Sequence, residues 1–111
     1  MPRDYEVYLE DILQAITKIR QYTTGLSPAA FAEDTKTLDA VVRNLEVIGE
    51  AAKTIPKAIR SQHPEVEWKK LVGLRNILIH EYFGLDAELI WDIIQNKLIT
   101  LEEQIRAMTN S

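Results

Sequence analysis

Apolar residues recur at intervals of three and four positions along four separate segments of this chain. This spacing places the apolar side chains on one face of an α-helix and does not match the twofold alternation of a half-buried strand. Most of the four glycines and four prolines fall near the ends of these segments. The pattern therefore predicts an all-α chain, folded as an antiparallel bundle of four long helices with one or two short ones.

The predicted helices follow these stripes, and the length of 111 residues predicts a single domain over residues 1–111. The long helices are predicted at about Asp4–Tyr22, at about Asp34–Thr54, from about Glu65 to Gly84, and from a cap at Asp86 to about Met108. Pro28 is expected to open a short turn through Phe31, and a short helix is expected at Lys57–Gln62.

The composition argues against several classes of protein. The chain has no cysteine, so disulfides and thiolate metal sites are ruled out, and the cytoplasm is the expected compartment. No apolar run approaches the ~18 residues that span a bilayer, and the N-terminus does not read as a secretory signal. Glycine-rich phosphate loops and the usual metal-ligand motifs are missing, so we expect neither a metal nor a cofactor. The net charge is −4, although basic residues concentrate between Arg43 and Arg75.

The third long helix carries the group of side chains best suited to chemistry, namely Arg75, Asn76, His80 and Tyr82. At about 100° per residue, Arg75 and Tyr82 share one edge, and Asn76 and His80 form a neighbouring polar strip. The opposite side is expected to face the core with Leu71, Leu74, Ile77 and Leu78. The polar set suits cleavage of RNA by its own 2′-OH, because arginine binds phosphate and histidine can accept or donate a proton near neutral pH.

The same helical geometry favours a site that two copies of the chain share. Arg75 and His80 lie about 140° apart around the helix, so one chain presents them poorly to a single phosphate. Two such helices facing across a twofold axis would bring both residue types to one cleft. Surplus apolar residues outside the stripes point to the same association: Ile79, Tyr82, Phe83 and Ile90. We therefore expect a homodimer.

Three segments, NLEVIGEAAKTIP, HPEVEWKKLVG and GLRNILIHEYFGLD, closely resemble the HepT-like branch of the HEPN superfamily. Members of this branch are ribonuclease toxins that pair with MntA-type minimal nucleotidyltransferase antitoxins, in type VII-like toxin–antitoxin systems. The family motif R-x4-H-x-Y is matched here by Arg75, His80 and Tyr82, with Asn76 directly after the arginine.

This resemblance implies an all-α HEPN-like fold and a homodimer with a composite cleft at its interface. It implies a metal-independent endoribonuclease, with Arg75 and His80 as the catalytic pair and RNA, with tRNA foremost, as the substrate. It also implies that an MntA-like partner transfers AMP from ATP to Tyr82. The added phosphate and nucleoside would then block the cleft beside Arg75 by charge and by volume.

Several residues around the motif keep two interpretations. Glu50 is a simple ion-pair partner of Arg75, or it also orients Arg75 for catalysis. Lys69 and Lys70 contact the RNA backbone, or they belong to an ordinary solvated helix face. The alternative function is a non-catalytic helical module that docks a nucleotidyltransferase or binds a nucleotide. The intact Arg75/His80 pair favours the ribonuclease, because docking alone gives no reason for both residues.

Overall fold

The structure is a computed structural model that describes residues 4–80 and 86–109, and every regular element in these ranges is helical. The helices are α1 (Tyr5–Thr23), α2 (Pro28–Glu33), α3 (Thr35–Thr54), α4 (Lys57–Gln62), α5 (Trp68–His80), α6 (Ala87–Asp92) and α7 (Leu98–Thr109), and a π-helical stretch, Ile93–Lys97, joins the last two. The prediction of four long helical stretches and two short helices is confirmed. Within the described ranges, no helix combines the length and the apolar composition that crossing a bilayer requires.

Polar side chains cap the starts of three helices. The Ser27 hydroxyl accepts a hydrogen bond from the backbone N–H three residues later, at 3.1 Å. Asp34 accepts hydrogen bonds from the hydroxyl of Thr37 at 2.7 Å and from its N–H at 3.1 Å, and these bonds lower the pKa of Asp34. Asp86 accepts from the N–H of Glu88 at 2.9 Å. These contacts satisfy backbone donors that have no partner within the helix, which explains where α2, α3 and α6 begin.

The long helical stretches enclose one apolar core. α1 and α3 pack along each other, α5 packs against α3, and α7 packs against α1. The predicted stripes supply the core, whose largest fully buried side chains include Leu9, Ile12, Ile16, Ile19, Val41, Leu45, Ile48 and Ile105. Because α5 rests mainly on α3, a groove of about 510 Å³ separates it from the π-helical stretch and α7.

Two apolar residues lie elsewhere than the sequence predicted. Ile77 was expected in the core, but its side chain is 50% exposed, because Leu78 occupies the side of α5 that faces α3. Ile90 was expected to extend the outer apolar surface, but it is buried, because α6 packs this side against α2. Phe31 of α2 and Trp91 of α6 stack there with ring centroids 5.2 Å apart. Ile77 and Leu78 are consecutive apolar residues about 100° apart around the helix, and tertiary packing decides which of them is buried.

The third long helix begins at Trp68, later than the predicted Glu65. A turn precedes it, in which the N–H of Val66 donates to the carbonyl of His63 at 3.2 Å. The indole N–H of Trp68 donates to the same carbonyl at 2.9 Å and fixes the turn against the helix. The predicted end at Gly84 lies outside the described residues.

Glu102 of α7 links two helices through its carboxylate. Its two oxygens lie 2.7 Å from Nη2 of Arg20 in α1 and 3.0 Å from Nη2 of Arg106. The hydrogen bond from Arg20, with support from Arg106, lowers the pKa of Glu102 below its ordinary value of 4.5. Because the pKa of Glu102 is lower in the folded chain than in the unfolded chain, its ionised form stabilises the fold at any pH above the unfolded-state pKa. This stabilisation is lost as the pH falls through the folded-state pKa.

We expect Glu102→Gln to lower the free energy of unfolding by about 1 kcal/mol at neutral pH, because the arginines lose their negative partner. The difference between the two proteins should vanish in strong acid, since protonated glutamate is then equivalent to glutamine. Urea denaturation at a series of pH values measures both effects. Glu103→Gln, at the exposed neighbouring position, serves as the control and should have little effect. A destabilisation that does not change with pH would contradict this account.

Candidate active site

Arg75 lies where α5 crosses α3. Its Nε atom is 2.8 Å from Oε2 of Glu50, and its Nη1 donates a hydrogen bond to Oδ1 of Asn76 at 3.0 Å. Nε is buried, and its N–H direction falls outside the range of a hydrogen bond, so charge holds the contact with Glu50. The Arg75 side chain is 23% exposed, so part of it remains within reach of a ligand.

The ion pair between Glu50 and Arg75 that the sequence left open is therefore present. Glu50 lies near the end of α3, and its side chain is 57% exposed. An ion pair this exposed adds little to stability, because water screens it. Together with the bond to Asn76, its main effect is to restrict the direction in which the guanidinium group of Arg75 points.

His80 is the last described residue of α5, and it is exposed. It follows Arg75 by about 7.5 Å along the helix axis and about 140° around it. Among the residues that the structure describes, no hydrogen bond or ion pair connects His80 to Arg75. One chain thus brings Arg75, Asn76 and Glu50 together but leaves His80 apart from them.

Exposed apolar side chains lie between the polar residues of the motif. Ile77 is 50% exposed and Ile79 is 44% exposed, and both lie between Asn76 and His80 in the last described turns of α5, on either side of the buried Leu78. Around the helix, at about 100° per residue, Asn76 and His80 lie between Ile79 on one flank and Ile77 on the other. The exposed side of the last described turn of α5 therefore combines polar and apolar side chains.

The two lysines earlier in α5 are both exposed. Lys70 forms an ion pair with Glu67 at 2.8 Å, and this contact raises the pKa of Lys70 and lowers that of Glu67. Lys69 lies seven residues before Asn76, so the two occupy nearly the same side of the helix. Lys70 lies about 120° around the helix from Asn76, so only Lys69 extends the side of Asn76 toward the start of α5. The exposure of both lysines is compatible with contact to the RNA backbone and with an ordinary solvated helix face.

Tyr82, the predicted modification site, lies outside the described residues. Its role therefore stays a prediction, as does the contribution of Phe83 to an apolar surface. In the ranges 4–80 and 86–109, no three histidine, aspartate or glutamate side chains gather as candidate ligands for a metal ion.

Gly49 belongs to this region, although the sequence analysis did not select it. It lies in α3 directly before Glu50, and a side chain here would collide with the stem of Arg75. The sequence did contain a signal, namely a glycine in the interior of a long amphipathic helix. Glycine lowers the stability of a helix at such a position, so its presence there indicates close packing or a functional reason.

The profile of the family described as "Ribonuclease HepT-like" matches residues 12–108 of the chain. "Putative RNase" of Methanocaldococcus jannaschii is 44% identical over 99 residues, which cover 88% of this chain and 82% of that protein. "Probable ribonuclease HepT" of Thermococcus cleftensis is 40% identical over 102 residues, which cover 92% of this chain and 93% of that protein. "Putative RNase" of Caldanaerobacter subterraneus is 42% identical over 99 residues, which cover 89% of this chain and 88% of that protein. No solved structure is significantly similar.

The all-helical bundle agrees with the HEPN-like fold that the family match indicates. The family match covers most of the chain, and the relatives align over nearly their whole length. The chain belongs to the HepT-like ribonuclease family.

Proposed function

We propose that this chain is a metal-independent endoribonuclease and the toxin of a type VII-like toxin–antitoxin system, acting on RNA, with tRNA foremost, in the cytoplasm. The observation that carries the proposal is Arg75, whose guanidinium is held by Glu50 and Asn76 while the same helix presents an exposed histidine, His80. Membership of the HepT-like ribonuclease family supports the same chemistry.

The proposed reaction is an attack of the RNA 2′-OH on the adjacent phosphate. The 2′-oxygen–phosphorus bond forms and the 5′-oxygen–phosphorus bond breaks, which leaves a 2′,3′-cyclic phosphate and a free 5′-OH. Arg75 neutralises the charge that develops on the phosphoryl oxygens. His80 serves the proton transfers, either by accepting the 2′-OH proton or by donating a proton to the leaving 5′-oxygen.

We place this reaction in a cleft between two copies of the chain. The angle between Arg75 and His80 around α5 argues for this arrangement, because it separates the two side chains within one chain. The exposed Ile77 and Ile79 support it, since burial of apolar surface is the main driving force of association. In such a homodimer, the arginine of one copy and the histidine of the other can reach the same phosphate.

Control of the toxin is proposed to follow from modification of Tyr82. An MntA-like nucleotidyltransferase would transfer AMP from ATP to the Tyr82 hydroxyl, with release of pyrophosphate. The family membership supports this assignment, because Tyr82 occupies the tyrosine position of the motif two residues after His80. A phosphodiester attached there would bring negative charge close to the guanidinium group that must bind RNA.

Lys69 and Lys70 are proposed to contact the RNA backbone on the outer side of α5. Both are exposed, and the ion pair of Lys70 with Glu67 is accessible to solvent, so a phosphate can compete for this lysine. Each phosphate contact of this kind strengthens the salt dependence of binding and leaves sequence preference unchanged.

The 2′-OH provides the sharpest test of the proposed reaction. We expect the chain to cleave an RNA oligonucleotide in EDTA and to leave 2′,3′-cyclic ends, because the nucleophile belongs to the substrate. The same oligonucleotide with 2′-O-methyl groups should stay intact, since it cannot supply the nucleophile. End analysis by mass spectrometry measures the outcome. Cleavage that needs Mg²⁺, or that proceeds on the methylated substrate, would contradict the mechanism. An inactive chain that still binds a nucleotidyltransferase would favour the non-catalytic module.

A further inference from the structure

Gly49 occupies a position in α3 where the structure leaves no room for a side chain. An added Cβ would overlap the Cβ of Arg75, and it would lie 2.8 Å from the carbonyl oxygen of Leu71 and 3.1 Å from the Cγ of Arg75. The Leu71 oxygen is a backbone atom of α5, so it cannot rotate away as a side chain can. The two helices would have to separate to admit even one methyl group.

The close approach at Gly49 coincides with the place where Arg75 is held. The stem of Arg75 lies against Gly49, and the next residue of α3, Glu50, supplies the oxygen 2.8 Å from Nε. Asn76 accepts from Nη1 at 3.0 Å, whereas Nη2 has no hydrogen bond with any residue that the structure describes. Two adjacent residues of α3 thus determine both where the arginine lies and how its guanidinium group is turned.

We propose that Gly49 is a positioning residue for Arg75. By admitting the Arg75 stem against the backbone of α3, it brings Nε within reach of Glu50 and turns the guanidinium group so that Nη2 can meet a phosphate oxygen. Arginine binds phosphate through a rigid planar fork, so a displacement of about 1 Å is costly for a reaction that depends on that geometry. The effect on catalysis rests on the proposed ribonuclease function, whereas the contact of Gly49 with Arg75 does not.

Gly73 supplies a matched comparison within α5. A Cβ added there meets no atom within 4 Å, so alanine fits without displacement of a neighbour. Both positions are helical glycines, and Gly→Ala raises the intrinsic preference for helix at both. A difference between the two alanine variants in fold stability therefore reports the close packing of Gly49 against α5, at the Arg75 stem and the Leu71 carbonyl together.

The first readout is hydrogen exchange of the Arg75 Nε–H, observed by ¹⁵N NMR and assigned with Arg75→Lys. Nε is buried beside Glu50, so we expect slow exchange in the unaltered protein. Gly49→Ala should accelerate the exchange at least about fivefold, because the guanidinium moves away from Glu50 and into water. Gly73→Ala should leave it unchanged. Exchange in Gly49→Ala that stays within about twofold of the unaltered protein would overturn the proposal.

The second readout is the division of the effect between kcat and KM on RNA. We expect Gly49→Ala to lower kcat about tenfold or more with a smaller change in KM, since a misplaced arginine mainly loses contacts made in the transition state. An unchanged kcat together with faster hydrogen exchange at the Arg75 Nε–H would show that Gly49 positions Arg75 but that this position does not affect catalysis. If the unaltered chain does not cleave RNA, the proposed function fails, and the exchange measurement still decides whether Gly49 positions Arg75.

A double-variant cycle covers the case in which Gly49→Ala folds poorly. Arg75→Gly removes the Cβ and Cγ that the added methyl would meet, while the Leu71 carbonyl remains in both backgrounds. We expect the loss of Tm caused by Gly49→Ala to be smaller by about 5 °C or more in the Arg75→Gly background. Equal losses in both backgrounds would show that Gly49 acts elsewhere and would overturn the proposal.

Discussion

His80→Ala lowers the rate of RNA cleavage by about 100-fold or more in this account, because it removes the group that moves a proton during the reaction. His80 is exposed at the end of the described part of α5, so the substitution should leave the fold and the dimer intact. The rate is measured on bulk tRNA, and the oligomeric state by sedimentation. His63→Ala is the matched control, since His63 lies in the turn before α5 and its ring nitrogen Nδ1 lies 3.3 Å from a carboxylate oxygen of Glu65. A fully active His80→Ala protein would contradict the assignment.

Arg75→Ala should cause a loss of about 100- to 1,000-fold, because no other described group of α5 combines a permanent positive charge with contacts that fix its direction. Arg43→Ala is the control for this substitution. Arg43 lies in α3, its side chain is 73% exposed, and it reaches Glu46 only at 3.9 Å. Equal losses in the two arginine variants would point to a general effect of charge on RNA affinity and not to a role of Arg75 in the reaction.

Tyr82→Phe is expected to produce a toxin that cleaves RNA but escapes neutralisation. Phenylalanine keeps the aromatic ring and lacks the hydroxyl that would accept AMP. After incubation with ATP, Mg²⁺ and an MntA-like nucleotidyltransferase, the unaltered chain should gain the mass of one adenylyl group and lose activity. The variant should show neither change.

Tyr22→Phe provides the comparison for this experiment, because Tyr22 is an exposed tyrosine near the C-terminal end of α1. This variant should be labelled and silenced like the unaltered protein. A Tyr82→Phe protein that is still labelled and silenced would place the modification on another residue.

The helices could be predicted from the sequence because local signals agree with the tertiary packing. The stripe of α3 predicts its buried face, and Asp34 and Asp86 are cap residues placed directly before apolar periodic segments. The Arg75, Asn76 and His80 group could be selected as a candidate site from the sequence, since all three lie within two turns of one helix.

Other features depend on how the helices meet, and local sequence does not encode that. Ile77 and Leu78 are both apolar and consecutive in the sequence, and the position of α3 decides that Leu78 is the one buried. The collision that alanine would cause at Gly49 involves Arg75, which is distant along the chain. The π-helical stretch Ile93–Lys97 left no trace in the apolar spacing, because Trp91, Ile94 and Leu98 keep the intervals of an ordinary helix.

The measurement that tests the central claim most directly is cleavage of bulk tRNA by the purified chain in EDTA, with Arg75→Ala and His80→Ala beside it. Mass spectrometry of the same preparation must first show that Tyr82 carries no adduct. The account predicts cleavage that leaves 2′,3′-cyclic ends and that is lost in both variants. An unmodified, folded chain that leaves tRNA intact would contradict the proposed ribonuclease.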